Sequence, residues 1–233
     1  MSLLLKFLAM ASSIAPKKIR VEATNKILDR TIKKYGNIEI LNKDIVEARR
    51  GIPTVYIGNH LSNIDGVLLN NLLKDNDIAF MAGVKLSKNP LTKLVMDTVN
   101  TIPIEPNSPD KKALKKAVEH LSKGGSLFIF PEGTRSRTGA MIESRKGFLL
   151  IAKMANVDIV PIGLEGTEKL LPIKGDMGRE SFQYADVKII VGKPFSILEK
   201  TEANKDDWTN IANRNAMGKI AELIDNKYRG VYK

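Results

Sequence analysis

Two short runs in this chain combine the residue types that proton transfer and anion binding require. The first is Asn59-His60-Leu61-Ser62-Asn63-Ile64-Asp65, and the second, about 70 positions later, is Phe130-Pro131-Glu132-Gly133-Thr134-Arg135. An imidazole titrates near neutrality and is well suited to removing a proton there. A carboxylate on its other ring nitrogen fixes the tautomer and stabilises the imidazolium as it forms, and Asp65, about one turn beyond His60, can supply one. Alone, this spacing is weak: Ser62 and Asp65 equally fit the Ser-x-x-Asp form of a helix capping box, with His60 an ordinary turn residue. The second run carries a Gly that frees the backbone to turn, N–H groups that can form an anion nest, and in Arg135 a planar, permanently charged fork suited to phosphate. Taken alone, it would read as a plain turn with a solvated Arg. The other histidine, His120, lacks such a context and reads as a surface residue.

The elements around these runs are those of an α/β protein. Short β-rich runs fall at 54–58, 78–82, 101–104, 126–130, 159–164 and 187–191, with helical patterns between several of them. The clearest helix covers 109–121, with Ser108 as N-cap, Pro109 in its first turn, Ala113, Leu114, Ala117, Val118 and Leu121 as its apolar face, and Gly124-Gly125 as its stop. A C-terminal amphipathic helix is expected over 204–228, with the single Trp208 packing against the domain. Apolar Ile64, Val67, Leu68 and Leu72 start a helix just after the 54–58 strand, so His60 falls in a strand-to-helix turn. Such turns, at the carboxyl ends of sheet strands, are where α/β folds build sites. The expected architecture is a central, largely buried sheet flanked by helices.

At 233 residues the chain suits one full domain with appendages. It has no cysteine, which removes disulfides and thiolate chemistry and favours cofactor-free chemistry on oxygen. The formal charge is +11, and residues 1–36 carry eight Lys or Arg against two acids, net +6. Attraction to an acidic partner follows. Residues 1–15 are apolar nearly all round; as a helix they would reach about 22 Å, short of the roughly 30 Å of a bilayer core. Pro16 breaks the chain, and 17–34 reads as a basic amphipathic helix with Ile19, Ala23, Ile27 and Leu28 on one side. Together these resemble a monotopic anchor in an anionic interface, although simple packing of both helices on the domain also fits. Ala9, Ala11 and Ala15 would suit a secretory leader, but Lys6 interrupts the apolar run and no basic stretch precedes it. The longest other apolar run, 148–164, is broken by Lys153 and Asp158.

With both runs in place, the chain resembles the glycerolipid acyltransferases, whose best-known members are the 1-acyl-sn-glycerol-3-phosphate acyltransferases. His60 and Asp65 match the family's His-x4-Asp signature, and Phe130 to Arg135 match its Phe-Pro-Glu-Gly-Thr-Arg signature in full. Weaker matches are Asn59, Ser136-Arg137, Lys146-Gly147 and Val160-Pro161-Ile162. The resemblance, which covers roughly residues 50 to 195, implies a mixed sheet covered by helices, as in glycerol-3-phosphate acyltransferases; with the N-terminal reading above, the expected division is a membrane-associating segment over 1–36 and an acyltransferase domain over 37–233.

It further implies that His60 is the general base on a glycerol hydroxyl and Asp65 its partner. Glu132, Gly133, Thr134 and Arg135, joined by Lys85, would hold the acceptor's phosphate. The reaction would form phosphatidic acid in phospholipid biosynthesis. No cofactor or metal is expected; the acyl donor is a carrier-protein thioester, a coenzyme A thioester or an acyl phosphate. The expected partners are an anionic membrane surface, a lysophospholipid and an acyl carrier protein, and the expected place is peripheral, on the cytoplasmic face of the cell membrane. One departure stands out: Pro106 occupies the position where the family usually carries an Arg of the acceptor site, so the acceptor could be a different lysolipid. Arg137 and Lys146 are further candidates for the missing cation. Lys111, Lys112, Lys115 and Lys116 form two rows opposite the apolar face of their helix, a solvated face or a dock for an acidic partner. A non-catalytic lipid-binding module is the alternative class. Nucleic-acid binding is disfavoured, since aromatics are 6% of the chain and no reading helix is recognisable.

Overall fold

The computed structural model describes residues 16–84, 93, 96–105, 110–173 and 180–233. Residues 1–15, Lys85, Pro106, Ser108 and Pro109 lie outside them, so the expectations for the apolar run, the extra phosphate-contacting Lys, the missing Arg and the first helix cap fall on undescribed positions.

Seven strands form one sheet: β1 (Gly36–Leu41), β2 (Val55–Gly58), β3 (Ile78–Gly83), β4 (Thr101–Ile104), β5 (Ser126–Ile129), β6 (Ile159–Glu165) and β7 (Ala185–Val191). Their order is β1-β7-β6-β2-β5-β3-β4. All neighbours run parallel except β6 and β7, so the sheet is mixed. Every residue of β2, β5 and β6 is buried, as expected of parallel strands covered on both faces.

The period-2 alternation of the strands separates two cores. Tyr56, Phe128, Val160 and Ile162 face a layer made by α1 (Lys17–Tyr35), α2 (Lys43–Ala48) and α3 (Asp65–Leu73). Val55, Ile57, Leu127 and Ile129 face the opposite layer of α4 (Lys111–Ser122), α5 (Gly147–Ala155) and α7 (Trp208–Ala221), while α6 (Thr167–Leu170) follows β6. In α3 the buried Val67, Leu68, Leu69, Leu72 and Leu73 seat the β2-to-β3 crossover on the sheet. In α4 the buried Ala113, Ala117 and Leu121 do the same on the other face.

Several boundaries differ from the sequence reading. The cap of α4 is Asp110, whose carboxylate accepts the Ala113 N–H at 2.9 Å. The C-terminal helix is α7, shorter than 204–228, because 202–207 form turns and the chain leaves the helix after Ala221. The edge strand β1 was not anticipated; most of its residues are exposed, and exposed Glu39 interrupts its apolar run. Of the apolar side expected for α1, Leu28 is buried and Ile27 packs on the core, joined by buried Thr24 and Ile32, whereas Ile19 is 59% exposed. Only the later half of α1 meets the core. Burying Leu28 and Ile32 stabilises by about 1.5 to 3 kcal/mol each, enough to hold α1 on the sheet.

Among the described residues, no helix is long and apolar enough to cross a membrane.

Candidate active site

The two runs converge at the carboxyl ends of adjacent parallel strands. Strands β2 and β5 pair in register, Ile57 opposite Ile129, so the residues that follow them emerge side by side. From β2 the chain turns into α3 on one face of the sheet, and from β5 it proceeds to α5 on the other. The two connections diverge and leave a crevice between them, the topological switch point at which open α/β sheets bind ligands.

His60 is held there on three sides. Its Nδ1 lies 2.8 Å from Asp65 Oδ2, its ring stacks on Phe130 with centroids 3.9 Å apart and planes at 12°, and its backbone carbonyl accepts the Ser136 N–H at 2.7 Å. Asp65 is fully buried while the His60 side chain is 19% exposed. The same Asp65 oxygen accepts the N–H groups of Leu61 and Ser62, each at 2.8 Å. One atom therefore serves both the backbone and the base, since the carboxylate that closes the turn leading into α3 also orients the imidazole. Ser62 does not complete a capping box; its hydroxyl donates to Leu171 O at 2.8 Å. An ionised carboxylate only accepts, so Nδ1 carries the ring proton and Nε2 presents its lone pair.

Asn59 works beneath this turn. Its amide donates to Leu164 O at 2.9 Å and accepts the Leu164 N–H at 2.8 Å, tying the end of β2 to β6.

The second run forms a tight turn in which Phe130 O accepts the Gly133 N–H at 3.0 Å. Gly133 has φ of +69°, a backbone sign that favours glycine, and a Cβ there would lie 2.7 Å from Nε of the flexible Arg145 side chain. Gly133 and Thr134 are exposed. Among the described residues the N–H groups of Thr134 and Arg135 have no partner, as an anion nest requires.

Arg135 is largely buried, and its Nη1 sits 3.6 Å from Oε1 of buried Glu180. That separation is an ion pair and not a hydrogen bond, so the donor remains unspent. Burial pushes the guanidinium below its ordinary range; Glu180 and Asp65 oppose this, and nearby Arg137 adds to it. Glu180 also accepts the Asn63 amide at 2.7 Å, coupling the two motifs.

Glu132 points inward. It is 3% exposed, and its two oxygens accept the N–H groups of His60 at 2.9 Å and Ile142 at 3.0 Å. Burial raises its carboxyl to about 7, with the nearby Asp65 charge adding to the shift and the two N–H donors opposing it. Its contacts fit a brace for the backbone of the base.

The other candidates separate. Arg137 is exposed beside Arg135, whereas Lys146 donates to Asn210 on α7. His120 Nε2 meets Asp77 O at 2.9 Å. Trp208 is partly buried and donates to Leu198 O at 2.7 Å. Glu180 and Arg145 escaped the sequence reading. Neither lies within the two runs, and only the fold brings them in. Among the described residues no group of three or more His, Asp or Glu could hold a metal ion.

The acyltransferase family model matches residues 37–165, more than half of the chain. The chain is 32% identical over 176 residues to a chloroplastic 1-acyl-sn-glycerol-3-phosphate acyltransferase of Arabidopsis thaliana, covering 74% of this chain and 45% of that protein. It is 34% identical over 145 residues to one of Brassica napus, covering 61% and 40%, so it spans less than half of either plant protein. A Bacillus subtilis protein of the same description is 22% identical over 194 residues, covering 83% of this chain and 87% of the other. The crystal structure of the 1-acyl-sn-glycerophosphate (LPA) acyltransferase PlsC from Thermotoga maritima shares the fold, with a TM-score of 0.61 and 23% identity over 94% of this chain and 88% of that one. The family match, the shared fold and the paired motifs at one switch point lead to one conclusion: the chain belongs to the acyltransferase family.

Proposed function

We propose that the chain is an O-acyltransferase that moves a fatty acyl group from an activated donor to the free hydroxyl of 1-acyl-sn-glycerol-3-phosphate at an anionic membrane surface. The observation that carries this is the His60 to Asp65 contact of 2.8 Å, which leaves Nε2 as the proton acceptor at the switch point. The acceptor hydroxyl donates its proton to Nε2 while its oxygen attacks the acyl carbonyl carbon. Asp65 offsets the charge that appears on the imidazole. The tetrahedral centre then collapses, the bond to the donor's leaving group breaks, and His60 returns the proton to that group.

The acceptor's phosphate would lie on the exposed Gly133 to Arg135 turn, against the open N–H groups and the unspent Arg135 donor. Because Glu180 already balances Arg135, the further positive charge for a phosphate must come from neighbours, and exposed Arg137 stands beside it. Each charge-assisted bond contributes about 1.5 to 3 kcal/mol. At a membrane, α1 would present exposed Lys18, Arg30, Lys33 and Lys34 to anionic headgroups, while Lys17 and Lys26 pair with Asp97 and Glu22.

The test is transfer by the purified protein to a panel of lysolipids in liposomes from carrier-protein, coenzyme A and phosphate donors, read by mass spectrometry. His60→Ala should lose about a hundred- to ten-thousand-fold in turnover while remaining folded. Unchanged transfer in that variant refutes the mechanism, and lipid binding without transfer from any donor refutes the activity.

A further inference from the structure

The short 3₁₀ turns at Asn226–Tyr228 and Gly230–Tyr232 touch neither catalytic motif directly, yet they grip the segment that braces the base. One end of this strap is fixed at the carboxyl end of β6, beside β2. There Glu165 accepts the Asp225 N–H at 2.6 Å, and the Tyr228 hydroxyl accepts the Gly166 N–H at 3.2 Å and donates to Glu168 at 3.0 Å. The other end clamps the loop after β5. Tyr228 O accepts the Met141 N–H at 2.8 Å and Met141 O accepts the Val231 N–H at 3.3 Å.

Gly230 sits at the crossing with φ of +55°, and a Cβ there would lie 1.8 Å from Met141 O. Three residues on, Ser144 donates its N–H to the Tyr232 hydroxyl at 3.1 Å. The two hydroxyls lie 2.8 Å apart, and Ser144 Oγ donates to Asn213 on α7 at 2.9 Å. Between these two grips lies Ile142, whose N–H goes to Glu132 Oε2, while Glu132 Oε1 holds the His60 N–H. Just past them, Arg145 N–H binds Pro131 O at 2.7 Å.

From this unbroken series of contacts we infer that Gly230 and Tyr232 are positioning residues for the acyl-transfer base, acting through Met141–Ser144 and Glu132 on the backbone of His60. The inference rests on the proposed role of His60 for its catalytic consequence, but not for its structural one. A strap that merely filled space would add stability uniformly; this one ends on a single peptide group at the reacting centre.

Amide hydrogen exchange of the full chain by NMR tests it independently of activity. Tyr232→Phe removes one oxygen and keeps the ring. The His60 and Ile142 amides should exchange about tenfold faster or more, with those of Val55, Tyr56 and Ile57 unchanged. If the His60 and Ile142 amides stay protected, or if all of β2 loosens equally, the inference is overturned. Acyl transfer is then measured on the same variant: kcat should fall about tenfold with the acceptor KM within about twofold. An unchanged kcat overturns the catalytic consequence. Gly230→Ala should show the same exchange pattern more strongly, and if it fails to fold, Tyr232→Phe still decides. Should wild type transfer no acyl group at all, the proposed activity fails while the exchange result still judges the strap.

Discussion

Single atoms at this site carry more than one duty, and Glu132 shows the cost. Its carboxylate supports the backbone of His60 but is almost wholly out of water, and burial raises it to about 7 from an ordinary 4.5. Between those values the folded state holds the proton more tightly than the unfolded chain. This group's stabilising contribution is therefore full below about pH 4.5 and is lost as pH rises through about 7. From pH 5 to pH 8 the wild type should lose on the order of 2 to 3 kcal/mol relative to Glu132→Gln. Urea denaturation of both proteins at the two pH values measures it, and parallel pH profiles would show that the carboxyl does not titrate there. Asp65 shares this economy, with one oxygen taking two backbone N–H groups and the imidazole.

At the scale of elements, the site depends on β2 ending where it does. The strand has four residues, and its end is secured to β6 by the Asn59 side chain, which imitates a strand pair by giving and taking one bond with Leu164. Asn59→Ala strands a buried carbonyl and a buried N–H. At about 1 to 3 kcal/mol for each unsatisfied group, it should cost roughly 2 to 6 kcal/mol in chemical denaturation. A cost below about 0.5 kcal/mol, typical of surface substitutions, would mean that water or rearrangement satisfies both groups. The motif Asn-His thus has a division of labour: the first residue fixes the strand end and the second uses the place so fixed.

At the scale of the whole molecule, charge is distributed by layer. The basic helix α1 lies on one face of the sheet and α4, with exposed Lys111, Lys112, Lys115 and Lys116, on the other. The carboxyl end of α1 leads directly into Gly36, at the same edge of the sheet as the end of β6 and hence as the site, because β1 and β7 run opposite to the other five strands. Lys33 and Lys34 therefore stand at the catalytic edge. Reversing both, Lys33→Glu with Lys34→Glu, should weaken binding to vesicles of anionic phospholipid by about tenfold or more, given about 1 kcal/mol per basic residue at such a surface. Wild-type binding should fall with salt. Equal affinity for zwitterionic vesicles, without salt dependence, would refute an electrostatic dock at this edge.

Much of this was legible in the residues themselves. Strand positions followed from buried apolar runs, and α3 and α4 from their 3.6-residue periodicity, because both patterns are local consequences of backbone geometry. The His60 and Asp65 pairing could be anticipated only with the second run beside it, because their spacing alone fits a helix cap equally well. Missed were β1, whose exposed edge carries little apolar signal, and the inward direction of Glu132, whose partners lie 72 positions before it and 10 after. Glu180 and the strap at Gly230 and Tyr232 were equally hidden. The sequence by itself determined which groups can move a proton and meet an anion, since that chemistry resides in side-chain type. Only the tertiary structure decided which groups brace the base and which face the crevice, because those roles arise from strand order and burial, joining residues far apart in the chain.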